Sequence, residues 1–320
     1  MKTICVLLAF LALPVLAQDF PARPVKLVVT FTPGGGADTT ARVFADRLSA
    51  LWKHQVIVEN RPGAGGSIGA ELVHKAAPDG YTLLLATNTH IINQVVYPNL
   101  TFDFIKDFTP IAIVTNGPMV IAVNNAKVAA KDMKEFTAML KSEPGKFSYA
   151  SCNVASPHHF GMEMYKSMMG IQALHIPHKG CGPAVTDTVA GHIDIVVATL
   201  PAAVPFFKQG RLRPIAILGA ERSPSAPDIP TVRESGIPEL KNYSLESYYG
   251  FMAPPGTPAA IAGKIEADVL KLAAQPELRK KLEGAGMDML VLNSSDMMKL
   301  IREDFDKYSK AAKAANIKAE

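Results

Sequence analysis

The sequence has 320 residues, of which 48% are hydrophobic and 19% charged, with a formal net charge of +4. These proportions are typical of a globular protein with a large buried core, and they exclude an intrinsically disordered chain. The small positive charge, without a basic run interleaved with aromatic residues, argues against nucleic acid as a partner. The length is sufficient for two domains.

The N-terminus has the features of a cleaved signal peptide over residues 1–17. One lysine precedes an apolar run that is too short to span a bilayer, and Val15-Leu16-Ala17 before Gln18 matches the small-residue preference of signal peptidase. We therefore expect export into an oxidising compartment, with cleavage after Ala17. No later apolar stretch reaches the length of a transmembrane helix.

Short β-rich runs alternate with helical patterns in the first third of the chain. This alternation predicts parallel β-α-β units with helices on both faces of a sheet. The predicted strands are residues 25–31, 55–60 and 81–87, and the predicted helices run to Leu51 and over residues 67–75.

A second alternating series occupies the middle of the chain. Two apolar strands before it, residues 109–115 and 119–125, are suited to lead the chain from one domain to the other. The predicted strands of the second series are residues 146–151, 173–178, 193–199 and 211–218.

The last third returns to helical patterns. Thr257 as the N-cap, with Pro258 at the first helical position, predicts a helix that ends before Pro276. Ser294 and Ser295 precede another helical pattern. Its apolar face is expected to pack on a domain, because its opposite face carries charges of both signs.

The stretch VVTFTPGGGADTT, residues 28–40, joins a strand to a helix through three glycines. The first N–H groups of a helix lack intrahelical partners and carry partial positive charge, so this turn favours a bound anion. The dinucleotide fingerprint is excluded because Thr39 stands where its last glycine belongs. The Walker loop is excluded because no Gly-Lys-Ser/Thr triplet occurs. We expect a small anion here.

Residues 65–69, GGSIG, match the nucleophile elbow of hydrolases, in which Ser67 would be the nucleophile. The elbow requires a direct turn from strand to helix, whereas residues 61–64 separate this motif from the preceding strand. Close packing at a helix start also accounts for the glycines. The motif alone is weak evidence for catalysis.

Histidines and cysteines cluster in the middle of the chain. A metal site is disfavoured because His175 and His178 lie at an odd separation near a strand end, where side chains face opposite sides. A Cys–His thiol enzyme is an alternative, although neither cysteine has a family signature around it. The clustered residues are Cys152, His158, His159, His175, His178 and Cys181.

Two segments, SCNVASPHH at residues 151–159 and TNTH at residues 87–90, are rich in hydroxyl, amide and imidazole groups and contain no acidic side chain. Such groups donate hydrogen bonds, so these loops suit an anionic or carbonyl-bearing ligand. The same residue types also form turns and helix caps. Both interpretations have equal weight unless the two loops converge.

Several long segments resemble one known family. They are FPARPVKLVVTFTPGGGADTTARVFADRLS, VIVENRPGAGGSIGAELVHKAAPDGYTLLLAT, FTPIAIV, HIPHKGCGPAVTDTVAGHIDIVVATLPAAVPFFKQGRLRPIAI and YYGFMAPPGTP. The chain resembles the Bug (TctC-like) family of periplasmic solute-binding proteins over essentially the whole mature length. The element ENRPGAGGSIGA is highly specific to that family, and it identifies Ser67 as part of a structural turn and helix start.

The resemblance implies an α/β fold of the two-lobed periplasmic-binding-protein class (type II, Venus flytrap). Each lobe is expected to be a mostly parallel sheet flanked by helices, with two strands crossing between the lobes. The first lobe is expected over residues 20–122 and 250–320, and the second over residues 123–249. The family captures a small organic acid for a tripartite tricarboxylate transporter, so we expect a monomeric periplasmic receptor without catalysis, cofactor or metal.

Two other functions stay open at this point. One is a periplasmic sensing protein that docks on a membrane sensor instead of a transporter. The other, from a different class, is a Cys–His or serine hydrolase, which would need a nucleophile, a base and an orienting acid in one place. The absence of an acid from the candidate loops argues against it.

The resemblance places the ligand between a loop of each lobe. Gly34 to Asp38 would form a carboxylate cradle, with Phe31 as a wall and Asp38 capping the following helix. Many relatives have an aspartate near Ala198 that can pair with an ammonium group, so its absence argues against an amino-acid ligand. The expected ligand-binding residues are Phe31, Gly35, Gly36, Ala37, Asp38, Thr87, Asn88, Ser151, Asn153, Ser156, His159, His178, Ala198 and Thr199.

Two further expectations concern the second lobe. The imidazolium of His159 or His178 would pair with a second carboxylate and tighten binding as the pH falls toward about 6. Cys152 and Cys181 each follow a strand, and if these strands are neighbours, about 4.8 Å apart, the two cysteines come within reach of a disulfide. The direction of the loop that carries Cys181 leaves this pairing open.

Overall fold

The computed structural model describes residues 20–97 and 99–314. The expected signal peptide, residues 1–17, lies outside the described residues. The described chain folds into two sheets with helices packed on them. The strands are β1 (Val25–Val29), β2 (Val56–Asn60), β3 (Thr82–Thr87), β4 (Thr109–Asn116), β5 (Met119–Asn124), β6 (Ser148–Ser151), β7 (Leu174–Pro177), β8 (Ile195–Thr199), β9 (Leu212–Ile217), β10 (Tyr248–Ala253) and β11 (Asp288–Asn293).

Helices follow most of the strands, as the alternation in the sequence predicts. We call the first sheet with its helices the first lobe, and the second sheet with its helices the second lobe. The helices are α1 (Gly36–Trp52), α2 (Ser67–His74), α3 (Asn88–Val96), α4 (Met133–Ser142), α5 (Pro157–Met169), α6 (Cys181–Val189), α7 (Leu200–Lys208), α8 (Ala259–Ala273), α9 (Pro276–Gly284) and α10 (Ser294–Ala314).

The first sheet has the strand order β11-β4-β10-β3-β1-β2. Strand β1 pairs in parallel with β2 and β3, which confirms the predicted β-α-β units. Strand β10 runs antiparallel to both β3 and β4 because it returns from the second lobe in the opposite direction. The sheet is therefore mixed rather than mostly parallel.

The second sheet has the order β7-β6-β8-β5-β9 and is also mixed. Strand β6 pairs in parallel with β7 and β8, whereas β5 runs antiparallel to β8 and β9. Every residue of β8 is buried. Its continuous apolar run is typical of a strand that is covered on both faces.

Two segments carry the chain between the lobes. Strand β4 belongs to the first sheet and β5 to the second, so the first crossing lies at Gly117 and Pro118. The second crossing precedes β10, and the Gly117 N–H donates to the Ser247 carbonyl at 2.6 Å, which holds the two crossings together. The expected lobe boundaries at 122/123 and 249/250 fall inside β5 and β10.

Helices α8, α9 and α10 pack on the first lobe. The apolar face of α10 is buried at Met297, Ile301 and Tyr308, as its pattern predicts. Helix α8 begins one residue later than expected: Pro258 is its N-cap, and the Thr257 hydroxyl donates to the Pro254 carbonyl instead of capping. No helix of the described chain combines the length and apolar character needed to cross a bilayer.

Candidate functional site

A cavity of about 30 Å³ lies between the lobes, which is room for roughly two water molecules. Its wall includes the N-terminal residues of four helices, α1 and α3 from the first lobe and α5 and α6 from the second. The described lining residues include no Asp, Glu, Lys or Arg. They are Phe31, Thr32, Gly35, Gly36, Ala37, Thr87, Thr89, Cys152, Ser156, His158, Gly180, Cys181, Ser247 and Tyr249.

The glycine turn forms the start of α1. Gly35 is the N-cap, and Asp38 lies inside the first turn rather than at the capping position. The Asp38 carboxylate accepts the Gly34 N–H at 3.2 Å, the Asn60 amide at 3.0 Å and the Arg42 guanidinium at 2.9 Å. Asp38 therefore fixes the shape of the turn, and its carboxylate faces Asn60 and Arg42.

Tyr249 on β10 explains why two of the nearby residues are glycines. A Cβ added at Gly36 would lie 2.7 Å from the Tyr249 hydroxyl, and one at Gly117 would lie 2.4 Å from the Tyr249 ring. The Tyr249 hydroxyl accepts a hydrogen bond from Ser247 at 3.2 Å. Tyr249 thus connects the start of α1, the crossing segment and the cavity wall.

The TNTH segment begins helix α3 and is not a loop. Thr87 is the N-cap, and His90 completes a capping box by accepting the Thr87 N–H. Thr87 and Thr89 line the cavity. The Asn88 amide instead donates to the Glu246 carbonyl at 2.8 Å and to the Tyr308 hydroxyl at 2.9 Å, which ties α3 to α10.

The SCNVASPHH segment forms the start of α5. Ser156 is the N-cap and accepts the His159 N–H at 3.3 Å, while its own hydroxyl donates to the Asn153 carbonyl at 2.8 Å. Ser151 is buried and also donates to the Asn153 carbonyl, at 2.9 Å. Ser151 and Asn153 therefore hold the loop that presents Ser156 and His158 to the cavity.

His159 lies outside the cavity lining and stacks on His175, with ring centroids 4.0 Å apart. Burial lowers the pKa of His159 to about 4 and that of His175 to about 3. His159 is therefore neutral between pH 5.5 and 8 and does not supply an imidazolium there. His178 also lies outside the lining, because its ring is held by the Asp187 carboxylate at 2.9 Å and the Ile176 carbonyl at 3.1 Å.

A disulfide joins Cys152 to Cys181 in the cavity wall. The pairing follows from the sheet: Cys152 comes directly after β6, and β6 pairs with β7, which leads to the start of α6. His158 Nε2 lies 3.7 Å from Cys181 Sγ. These three side chains form a compact group of potential metal ligands, but the sulfurs are bonded to each other, whereas metals bind thiolates.

Hydrogen bonds join the lobes beside the cavity. The Gly36 N–H donates to Thr199 Oγ1 at 3.1 Å, and the Thr32 N–H donates to the Lys179 carbonyl at 3.3 Å. The structure therefore has its lobes closed on each other. Ala198, another residue near this contact in the sequence, is buried in β8 beside Val120 of β5 and is not among the lining residues.

The structure brings a part of the predicted residue set together. The predicted residues that line the cavity are Phe31, Gly35, Gly36, Ala37, Thr87 and Ser156. Thr199 is not a lining residue, but its hydroxyl accepts a hydrogen bond from the lining residue Gly36. The predicted residues outside the lining are Asp38, Asn88, Ser151, Asn153, His159, His178 and Ala198. Cys152 and Cys181, which are predicted from the sequence only as a possible disulfide, also line the cavity. The lining residues absent from every prediction of ligand binding or disulfide formation are Thr32, Thr89, His158, Gly180, Ser247 and Tyr249.

Comparison with known proteins identifies the family. Residues 40–317 match the model of the "Tripartite tricarboxylate transporter family receptor". The chain belongs to this family. Among its relatives, the receptor is 36% identical to Protein BugT of Bordetella pertussis over 251 residues, which cover 78% of this chain and 76% of BugT.

Solved structures share the fold of the receptor. Rpa4515 of R. palustris, solved with adipate, is 30% identical, has a TM-score of 0.89, and is matched over 94% of this chain and 99% of that chain. MatC of Rhodopseudomonas palustris, solved with malate, is 28% identical, with a TM-score of 0.83 over 91% and 99% of the two chains. These matches confirm the two-lobed periplasmic-binding-protein fold and the solute-binding class.

Proposed function

We propose that the protein captures a small organic acid between its lobes in the periplasm and presents it to the membrane components of a tripartite tricarboxylate transporter. One observation carries this proposal: four helix N-termini converge on one cavity whose described lining has no charged carboxylate, ammonium or guanidinium group. Each helix N-terminus acts as roughly half a positive charge. Together they favour a carboxylate without a counter-ion side chain.

We place a ligand carboxylate at the start of α1. The N–H groups of Gly36 and Ala37 lie in its first turn, where the helix provides no carbonyl partner. The Gly36 N–H already donates across the lobes to Thr199 Oγ1. A carboxylate oxygen at this position accepts one hydrogen bond from the Gly36 N–H and a second from the Thr199 hydroxyl.

Two buried polar atoms, on residues that line the cavity, are suited to the rest of the ligand. Thr32 Oγ1 of the first lobe and His158 Nδ1 of the second are buried and make no hydrogen bond within the described residues. Burial lowers the pKa of His158 to about 3, so its ring is neutral. A ligand with a second polar end would satisfy both, and adipate and malate, found in Rpa4515 and MatC, are acids of this kind.

The volume of the cavity implies that the lobes separate during binding. A cavity of about 30 Å³ is too small for a dicarboxylate. The bonds from Gly36 to Thr199 and from Thr32 to Lys179 must therefore break for a ligand to enter. The crossings at Gly117 and beside Ser247 are the natural hinge, because the chain passes between the lobes there.

Binding fits this site better than catalysis. Ser67 is the first residue of α2, and its hydroxyl faces the Asn93 amide at 3.4 Å. Ser151 Oγ lies 2.7 Å from His175 Nε2, but Ser151 is fully buried and has no open approach for a substrate. Both cysteines of the candidate thiol enzyme are in the disulfide. We therefore assign no catalytic nucleophile.

A thermal-shift screen tests the proposal. The exported form is heated with acetate, malate, adipate, citrate, benzoate and phthalate, and with the matching amides as uncharged controls. A ligand that binds only the folded state raises the melting temperature by mass action. We expect at least one acid to raise it and its amide to have no effect. The proposal is contradicted if no acid raises the melting temperature, or if the amides raise it as much as the acids do.

A further inference from the structure

The Cys152–Cys181 disulfide is part of the cavity wall and not a remote structural cross-link. Cys152 begins the loop that leads to Ser156, and Cys181 is the first residue of α6. The bond therefore ties together the two second-lobe segments that face the ligand. Their relative position depends on one covalent bond that a reductant can open.

The surroundings of Cys181 favour it as the leaving thiolate. It occupies the N-terminal position of α6, where the partial positive charge of the helix lowers the pKa of a thiol. His158 Nε2 lies 3.7 Å from its sulfur, and His158 Nδ1 is buried without a partner in the described chain. Cys152 has a different neighbour, the Val197 carbonyl at 3.6 Å, which does not stabilise a thiolate.

We propose that this disulfide is a thiol–disulfide exchange site coupled to ligand binding: the receptor holds its acid tightly while the bond is intact and releases it more readily after a dithiol has reduced the bond. This inference rests on the proposed function, since it concerns the affinity of the same site. It adds a covalent modification that changes the affinity for the ligand.

Reduction of the bond takes place in two successive exchanges. A thiolate of the dithiol attacks Cys152 Sγ and forms a mixed disulfide, and Cys181 leaves with the electron pair of the broken bond as a thiolate. The second thiol of the reductant then displaces Cys152, which also leaves as a thiolate. The protein gains two electrons and, after protonation, two thiols, while the dithiol becomes a disulfide.

The closed lobes cover the bond. A Cβ added at Gly35 would lie 3.5 Å from Cys181 Cβ, so the glycine turn of the first lobe lies directly against the disulfide. Cys152 and Cys181 are 4% and 6% exposed. A reductant reaches them only when the lobes open, so a ligand that holds the lobes together slows the reduction.

The coupling also acts on the affinity. Once the bond is broken, the Cys152–Ser156 loop and the start of α6 are no longer held together, and the ligand must order them when it binds. Linkage requires the reverse effect to be equal: a ligand that binds the oxidised form more tightly lowers the equilibrium constant for reduction by the same factor, and the reduction potential falls accordingly. A tenfold difference in affinity corresponds to about 30 mV for this two-electron couple.

Calorimetric titration of oxidised and dithiothreitol-reduced protein with each acid of the screening panel tests the inference. We expect at least tenfold weaker binding to the reduced form. The double variant Cys152→Ser/Cys181→Ser is expected to bind like the reduced form under both conditions. Equal affinities for the oxidised and reduced forms overturn the inference and leave the proposed function intact. Failure of the oxidised form to bind any acid overturns the proposed function and the inference with it.

Two further measurements separate coupling from a general loss of stability. Leu282→Ala, a buried change in α9 of the first lobe, destabilises the oxidised protein away from the cavity and is expected to keep its affinity. The midpoint potential, measured in dithiothreitol buffers, is expected to fall by at least 30 mV with the bound acid at saturation. A potential that does not change with the acid, or an affinity loss in Leu282→Ala as large as that on reduction, contradicts the coupling.

Discussion

The backbone N–H of Gly36 in the first lobe donates a hydrogen bond to the Thr199 hydroxyl of the second lobe, at 3.1 Å. Gly36 is the first residue of α1, and Thr199 is the N-cap of α7. The Thr199 side chain makes no capping bond within its own helix. One hydroxyl thus joins the two lobes at the position where we place the ligand carboxylate.

Thr199→Val removes this bond with little change in volume, and we expect the free protein to open more often. A neutral hydrogen bond contributes about 1 kcal/mol, which corresponds to roughly a fivefold shift between closed and open forms. Small-angle X-ray scattering is expected to show a larger radius of gyration for the variant. The control is Thr186→Val, whose hydroxyl bonds only within α6; a scattering profile shared by Thr199→Val and the wild type would rule out the bond as a closing contact.

Gly36→Ala is expected to weaken binding of the acid at least tenfold. The added Cβ would lie 2.7 Å from the Tyr249 hydroxyl and about 3.0 Å from its ring, so either Tyr249 or the start of α1 must shift. Calorimetric titration measures the loss. Gly263→Ala is the matched control, because its Cβ meets nothing within 4 Å on the exposed face of α8. Undiminished affinity in Gly36→Ala would show that the carboxylate binds elsewhere.

The protein is expected to lose stability as the pH falls from 6.5 toward 4. Burial lowers the pKa of His90 and His159 to about 4, and that of His158 and His175 to about 3. The unfolded chain keeps a histidine pKa near 6.5 and therefore binds more protons in this window. Stability from these neutral rings is complete above pH 6.5 and decreases as the pH falls.

Urea unfolding of the oxidised protein at pH 7.5, 5.5 and 4.5 measures this effect. We expect the free energy of unfolding to fall at each step, and His175→Gln to reduce the slope. His192→Gln, at a side chain that is 73% exposed, is expected to leave the slope unchanged. A stability that stays constant over the range would contradict the assignment of neutral buried rings.

The disulfide is expected to contribute about 3 to 4 kcal/mol to stability, because it closes a loop with a sequence separation of 29 residues. Urea midpoints with and without dithiothreitol measure the difference, and Cys152→Ser/Cys181→Ser is expected not to respond to the reductant. Mass spectrometry of the non-reduced mature chain after alkylation provides the direct check. Two alkylated thiols would mean that the bond does not form.

Much of the fold could be predicted from the sequence because the strands are local apolar runs. The runs at residues 25–31 and 193–199 contain β1 and β8, and the glycine turn occurs at the start of α1. The sequence predicts a loop at the start of α3, since a threonine with two polar neighbours is as typical of a turn as of a helix cap. Its capping box depends on the His90 ring, which is fixed by tertiary contacts.

The cavity could be predicted only in part because distant segments form it. Tyr249 lies in an apolar strand and has the sequence pattern of a core residue, yet it reaches Gly36 across more than 200 residues of chain. The family resemblance points to His159 as the ligand-binding histidine. The helical period instead turns its neighbour, His158, toward the cavity. Asn88 and Ser151 have polar side chains because each donates a hydrogen bond to a backbone carbonyl nearby.

Isothermal titration of the mature, oxidised protein with the best acid of the panel, and with the amide of that acid, tests the central claim most directly. The claim is that helix N-termini at an uncharged cavity bind a carboxylate. We expect saturable binding of one acid per chain, no binding of the amide, and an affinity that changes little between pH 5.5 and 8, because His158 and His159 stay neutral. Equal binding of acid and amide, or no heat from any acid, would contradict it.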